Sequence, residues 1–282
     1  MIHSLLAVAN VDGIESHLRK IGQLFRVFDR QDSECVSYGV AVGAKRWFVK
    51  TATTPLAVES LRRAVTFHAA VTHPALVPLT YARELIGGAA LVYPWVDAEV
   101  LYHATIPPSV NRSDPDSAMA RFRRRPVTDV RRAIDTVLDA HCAVERSGFV
   151  AVDFYDGAML YDFTEGEMKL CDLDEYRPGP FAVDADRMPG SGRYMAPEEF
   201  QSGATIDFRT TVYNLGRAAR LLLDSGDNER AWRGTGAQLA VVRRATAREP
   251  GARYRCVQEF TAAWRAASTV STDPKSCEHH SR

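Results

Sequence analysis

Residues 189–200 read P-G-S-G-R-Y-M-A-P-E-E-F, and the organisation of the chain is read outward from there. Before this stretch runs a loop containing Gly and Pro, and before the loop lie short runs of β-branched and aromatic residues. After it, TTVYNLGRAARLLLD, GAQLAVVRRATA and VQEFTAAWRAAS each carry apolar residues at helical spacing. The 282 residues thus pass from a β-rich first half to a second half dominated by helices, an α+β pattern.

In the first half, LFRVFD, VSYGVAV and RWFVKTA read as strands, the last two joined by a hairpin-like connection at Gly43-Ala44-Lys45. LAVESLRRAVTFHAAVTH predicts a helix with a stripe at Leu61, Val65, Phe67, His68 and Val71. His73-Pro74 ends it, because the residue before proline disfavours helix. ALVPLTYA and AALVYPWV complete a unit of five strands and one helix. VTDVRRAIDTVLDAHCAVERSG predicts a long helix with Thr128 as N-cap and Gly148 as its stop. FVAVDF and AMLYDF flank a turn at Asp156-Gly157, and MKLCDLD is a further strand. The basic SDPDSAMARFRRRP reads as a linker or exposed helical insert; its arginines could dock an acidic partner or simply be solvated.

Composition excludes some functions. Lys+Arg and Asp+Glu are 35 each, so the chain lacks the basic surplus of a general nucleic-acid binder. No apolar run reaches the roughly 18–20 residues that span a bilayer, so no membrane partner is expected. Five scattered cysteines without a C-x-x-C pair fit a reduced, cytoplasmic setting. Residues 1–23 read as an N-terminal extension and 268–282 as a polar, frayed tail.

Chemistry concentrates on four residues. Asp153 ends the strand FVAV, Asp156 sits on the turn after it, and Asp172 closes the apolar strand MKLC. Carboxylates leaving neighbouring strands converge on one point, the oxygen environment that Mg²⁺ takes. Lys50 lies inside RWFVKTA, where a cation must find an anion. Singly, each has a plainer reading: aspartate is a common turn residue, and lysine a common edge charge. Their order along the chain is what distinguishes them.

That order resembles the eukaryotic-type Ser/Thr protein kinase family over roughly residues 24–265. Lys50 in F-V-K resembles the strand lysine of V-A-I-K, S-G-F-V-A-V-D the catalytic loop, and Asp172 in D-L-D the aspartate of D-F-G. R-Y-M-A-P-E-E is similar to the family's Y-M-A-P-E, Asp207 to the aspartate opening its central helix, and EPGARYRCVQEF to its closing arginine motif. The resemblance implies a two-lobed fold: a small β-rich lobe over 24–97 and a larger, mostly helical lobe over 98–267. It implies ATP and Mg²⁺ in the crevice between the lobes. Lys50 and Asp153 would be catalytic and Asp172 and Asp156 metal-binding; Val40, Tyr93, Pro94, Val96 and Leu160 would line the nucleotide pocket, with Lys50 on the phosphates. Arg253 would pair with Glu198, and the γ-phosphate would pass to a protein hydroxyl. The protein partner and the oligomeric state are not legible in the sequence.

The departures from the family pattern are specific. QDSECVSYGV stands where the glycine-rich loop belongs, Ala64 where the helix glutamate belongs, and Ala158 where the metal-binding asparagine belongs. D-F-G reads D-L-D, so Asp174 replaces a glycine and adds a carboxylate, which is either a turn residue or a metal ligand; Asp156 and Asp174 are both candidates to replace the missing asparagine. These losses imply an alternative: a pseudokinase that binds nucleotide or protein as a scaffold without turnover.

Overall fold

The computed structural model describes residues 3–30, 33–102 and 111–269. The tail residues 270–282 lie outside the described residues. The fold is α+β, with a five-stranded antiparallel sheet and seven α-helices among the described residues.

The sheet contains β1 (Gln23–Phe28), β2 (Val36–Val42), β3 (Lys45–Ala52), β4 (Tyr81–Leu85) and β5 (Gly88–Pro94), in the spatial order β1-β2-β3-β5-β4. Gly43, with φ +60°, turns β2 into β3, a backbone angle that costs glycine nothing. The period of two along each strand sorts side chains to two faces. Tyr38, Val40 and Val49 face one way; Phe48, Lys50, Leu91 and Tyr93 face the other. ALVPLTYA is not a strand over its length. Residues 75–80 form a connection whose Val77 N–H donates to Leu170 O at 2.9 Å, and the strand begins only at Tyr81.

The residues before the sheet are part of its core. Leu5, Leu6 and Val11, with Ile14 and Leu18 of α1 (Ile14–Ile21), bury themselves against Val40, Val49 and Val92. Burying each such aliphatic side chain contributes about 1.5–3 kcal/mol, so this segment is a layer of the fold rather than an appendage. On the opposite face lies α2 (Pro55–Ala70), capped by Thr54, whose side chain accepts from Ala57 N. Its Ala57, Leu61 and Ala64 are buried against the sheet, whereas Val65 faces solvent.

The helical part begins with α3 (Ala118–Arg123) and α4 (Val127–Arg146). The basic segment around α3 is not a solvated insert. Met119 and Phe122 are fully buried, and Arg123, 3% exposed, donates to Leu221 O and pairs with Asp227 at 3.0 Å. Arg121 pairs with Glu99 and Arg125 with Asp129. These arginines are spent on the fold itself. Pro126, not Thr128, occupies the N-cap of α4; proline's fixed φ suits a helix start and it has no N–H to leave unpaired. Gly148, φ +79°, ends the helix as expected. The main core then forms between α4, α5 (Phe208–Leu222), α6 (Gly236–Ala245) and α7 (Val257–Thr269), with Phe260 and Trp264 fully buried. Asp207 is the N-cap of α5 and accepts from Arg209 N. No helix among the described residues is long and apolar enough to cross a membrane.

Short strands complete the scaffold: β6 (Glu99–Val100), β7 (Phe149–Val150), β8 (Met159–Asp162) and β9 (Glu167–Leu170). β6, β8 and β9 form a small antiparallel sheet under the face of the large sheet that carries Lys50.

Candidate functional site: a cleft closed by Lys50 and two aspartates

A cavity of about 400 Å³ lies between the Lys50 face of the large sheet and the β6-β8-β9 sheet. Lys50, Tyr93, Pro94, Val96, Leu160 and Asp172 line it, and so does Asp174. Its roof is aromatic: Phe48 lies 6.4 Å from Tyr93 and 6.5 Å from Trp95, ring centre to ring centre. His68 of α2 stacks edge-on against Tyr93 at 5.6 Å, and burial pushes its imidazole down to about 4, so it is neutral near pH 7.

Lys50 is 5% exposed and sits opposite Ser37 and Leu91 in the sheet. Its Nζ donates to Asp172 Oδ1 at 2.5 Å and to Asp174 Oδ2 at 2.5 Å. Burial alone would discharge it, but the two carboxylates raise its pKa well above the ordinary value, so the ammonium persists. Asp174 is buried, and burial holds its carboxyl above the usual range while Lys50 pulls the other way. Asp172 follows β9 with φ +56°, a left-handed backbone that side-chain-bearing residues seldom adopt.

Asp153 shares that left-handed conformation at φ +57°. Among the described residues only four non-glycine positions have positive φ, and these two aspartates are half of them. Backbone strain of this kind concentrates where function demands it. Burial pushes the Asp153 carboxyl up to about 8, with Asp172 and Glu175 adding to the effect and Lys50 opposing it. Asp153 does not line the cavity wall itself.

Buried polar contacts connect the two aspartate loops. His141 on α4 donates from Nδ1 to Val137 O at 2.8 Å, which leaves Nε2 to accept from Tyr176 Oη at 2.8 Å. Phe154, next to Asp153, packs on the same imidazole at 4.5 Å. Thr211 of α5 accepts from Ala151 N at 3.0 Å. The loop bearing Asp153 is therefore anchored on α4 and α5, and the segment bearing Asp172 on α4.

The helix α2 reaches the site by a route not visible in the sequence. Ala64 is fully buried, and Glu59 points to solvent beside Arg62. Instead, Glu175 accepts from Ser60 Oγ at 2.7 Å and from Arg63 Nη2 at 2.6 Å. The helix supplies the cation and the aspartate segment supplies the glutamate.

Besides Asp153, two expected site residues lie outside the cavity lining. Val40 packs against Leu5, Leu6 and Leu18 on the far face of the sheet; the strand alternation puts Ser37 and Gly39, not Val40, on the Lys50 side. Asp156 is wholly buried and clamped by Arg112, whose Nε and Nη2 donate to its two oxygens at 2.6 and 3.1 Å. Arg112 in turn lies 3.4 Å over the ring of Tyr102. Gly39 serves packing: a Cβ there would come within 2.6 Å of Phe25 and 2.9 Å of Trp95.

Below the cleft, Glu198 and Arg253 form a bidentate pair at 2.6 and 2.8 Å, with no exposed surface on the Arg253 side chain. Thr210 Oγ1 also donates to Glu198 at 2.8 Å. Glu199 accepts from Ala196 N and Asn214 Nδ2, and burial pushes it up to about 7.

Among the described residues no group of three or more His, Cys, Asp or Glu side chains is arranged to hold a metal ion. No protein-family model matches the chain, and no curated protein matches it.

Proposed function

We propose that the chain is a divergent protein-kinase-like phosphotransferase, two-lobed in the manner of that family, which binds ATP with Mg²⁺ in the cleft and passes the γ-phosphate to a protein hydroxyl. The observation that carries the proposal is the meeting of Lys50 and Asp172. Residues from opposite halves of the chain converge at 2.5 Å on the wall of a ligand-sized cavity. A buried lysine stays charged for an anion, and phosphate is the anion that the motif order suggests.

In this reading the aromatic and aliphatic end of the cavity, Tyr93, Val96 and Leu160, takes the base. Pro94 offers only a carbonyl there. Lys50 holds the phosphates. Mg²⁺ takes hard oxygen ligands and commonly uses one or two carboxylates beside the phosphates, so Asp172 with its neighbour Asp174 fits the donor chemistry. Asp156, with both oxygens engaged by Arg112, is set apart from that role. When bound, the metal would neutralise phosphate charge as the γ-phosphoryl group transfers. Asp153, once ionised, orients the acceptor hydroxyl and receives its proton.

A scaffold without turnover is favoured by one specific feature. The β1–β2 connection offers no glycine cradle, and Gly39 is committed to aromatic packing. Radiolabelled transfer from ATP, run beside a thermal shift with ATP and Mg²⁺, decides between the two. Transfer that disappears in Asp153→Asn and Asp172→Ala supports the phosphotransferase. Stabilisation without transfer supports the scaffold, and neither signal overturns both nucleotide readings.

A further inference from the structure

Lys50 is shared between two carboxylates of unlike setting. Asp172 is 44% exposed at its side chain and Asp174 8%, yet each accepts from Nζ at 2.5 Å. Their accepting oxygens are therefore at most twice that distance apart, with a cation between them. Asp174 stands two residues after Asp172, at a point where the chain turns toward Glu175 and its anchors on α2. A phosphate arriving alone competes with both carboxylates for the ammonium. As far as it draws Nζ away, Asp174 is left buried without its cation and facing the incoming anion, and must bear that cost or take up a proton. A divalent cation arriving alone must share the same two carboxylates with a buried ammonium, like charge against like charge. When both arrive together the exchange balances: phosphate takes the lysine, and the cation takes the two carboxylates.

We infer that Asp174 couples the two ligands, so that the cleft accepts a phosphate-bearing ligand and a divalent cation only as a unit. The inference rests on the nucleotide reading above and deepens it. It assigns to Asp174 the setting of metal dependence, a role the sequence motif leaves open. An isosteric amide at 174 removes the repelling charge, so metal-free phosphate binding tightens and the benefit of the metal shrinks.

Calorimetric titration of ATP into the full chain, once in EDTA and once in Mg²⁺, tests this on wild type and on Asp174→Asn. Wild type is expected to bind about a hundredfold more tightly with Mg²⁺. In Asp174→Asn that ratio falls by at least about tenfold, mainly through tighter binding in EDTA, because two like charges a few ångströms apart no longer meet. An equal ratio in both proteins, with Mg²⁺-ATP binding intact, overturns the coupling and leaves the nucleotide reading standing. Absence of ATP binding under every condition overturns both. Wild type alone gives a second reading should the variant not fold: Mn²⁺ without nucleotide, followed by electron paramagnetic resonance, is expected to remain free. Mn²⁺ captured by the protein without nucleotide, or a wild-type Mg²⁺ ratio near one, overturns the coupling.

Discussion

Asp153→Asn is predicted to stabilise the protein by an amount that depends on pH. The carboxyl of Asp153 is pushed up to about 8 by burial, with Asp172, Glu175 and Glu199 reinforcing the shift. In the unfolded chain an aspartate titrates near 3.9. The folded state therefore binds the proton more tightly than the unfolded state. Stability from this group is full below about pH 4 and is lost as pH rises towards 8. Each pH unit in that window costs about 1.4 kcal/mol per proton, so the loss across it is on the order of 5 kcal/mol. Asparagine keeps the size, tolerates the left-handed backbone at φ +57° and does not titrate. The stability difference between variant and wild type should thus grow by about 1.4 kcal/mol per unit from about pH 4 and level off above pH 8. Urea denaturation at pH 5, 6, 7, 8 and 9 reads it directly, since most other titrations cancel in the difference. Parallel curves for the two proteins would refute the reasoning, because they would mean that Asp153 ionises as freely folded as unfolded.

Glu198→Ala should cost about 3–5 kcal/mol, since it strands the buried guanidinium of Arg253. Replacing the pair together, Glu198→Leu with Arg253→Met, should recover most of that loss in denaturant melts; a single-variant cost below about 1 kcal/mol would contradict the assignment. Val40→Ala should lower stability by about 2 kcal/mol through the cavity it leaves beside Leu6 and Leu18, yet leave nucleotide affinity unchanged. Leu160→Ala should do the reverse, weakening the ligand more than the fold, and calorimetry on both variants checks the contrast.

The strands β2 and β3, the helix α4 and the three C-terminal helices were legible because their periodicity is strong and local. The pairing of Glu198 with Arg253 was legible only through motif order, since nothing local links residues 55 positions apart. Val40 misses the cleft face by a single step along β2. The alternation of VSYGVAV was plain, but which parity faces the cleft is set by the pairing of Ser37 with Lys50, a tertiary fact. The basic stretch around α3 reads as solvated from its arginines alone, whereas partners far along the chain, such as Asp227, neutralise them. Asp156 looked available because Arg112, which claims it, lies 44 residues earlier in a segment without periodicity. Glu175 carries no sequence signal: its partners Ser60 and Arg63 lie on a helix that lacks the expected acidic residue. The N-terminal residues read as an extension, yet LLAVANVDGI supplies apolar side chains that cover the sheet.

The central claim is that the ammonium of Lys50 waits for phosphate inside the cleft. Equilibrium binding of ATP with Mg²⁺ to wild type and to Lys50→Met measures it most directly. The account predicts saturable binding by wild type, weakened at least about tenfold in the variant through loss of a charge-assisted contact. Equal affinity in the two proteins would contradict it.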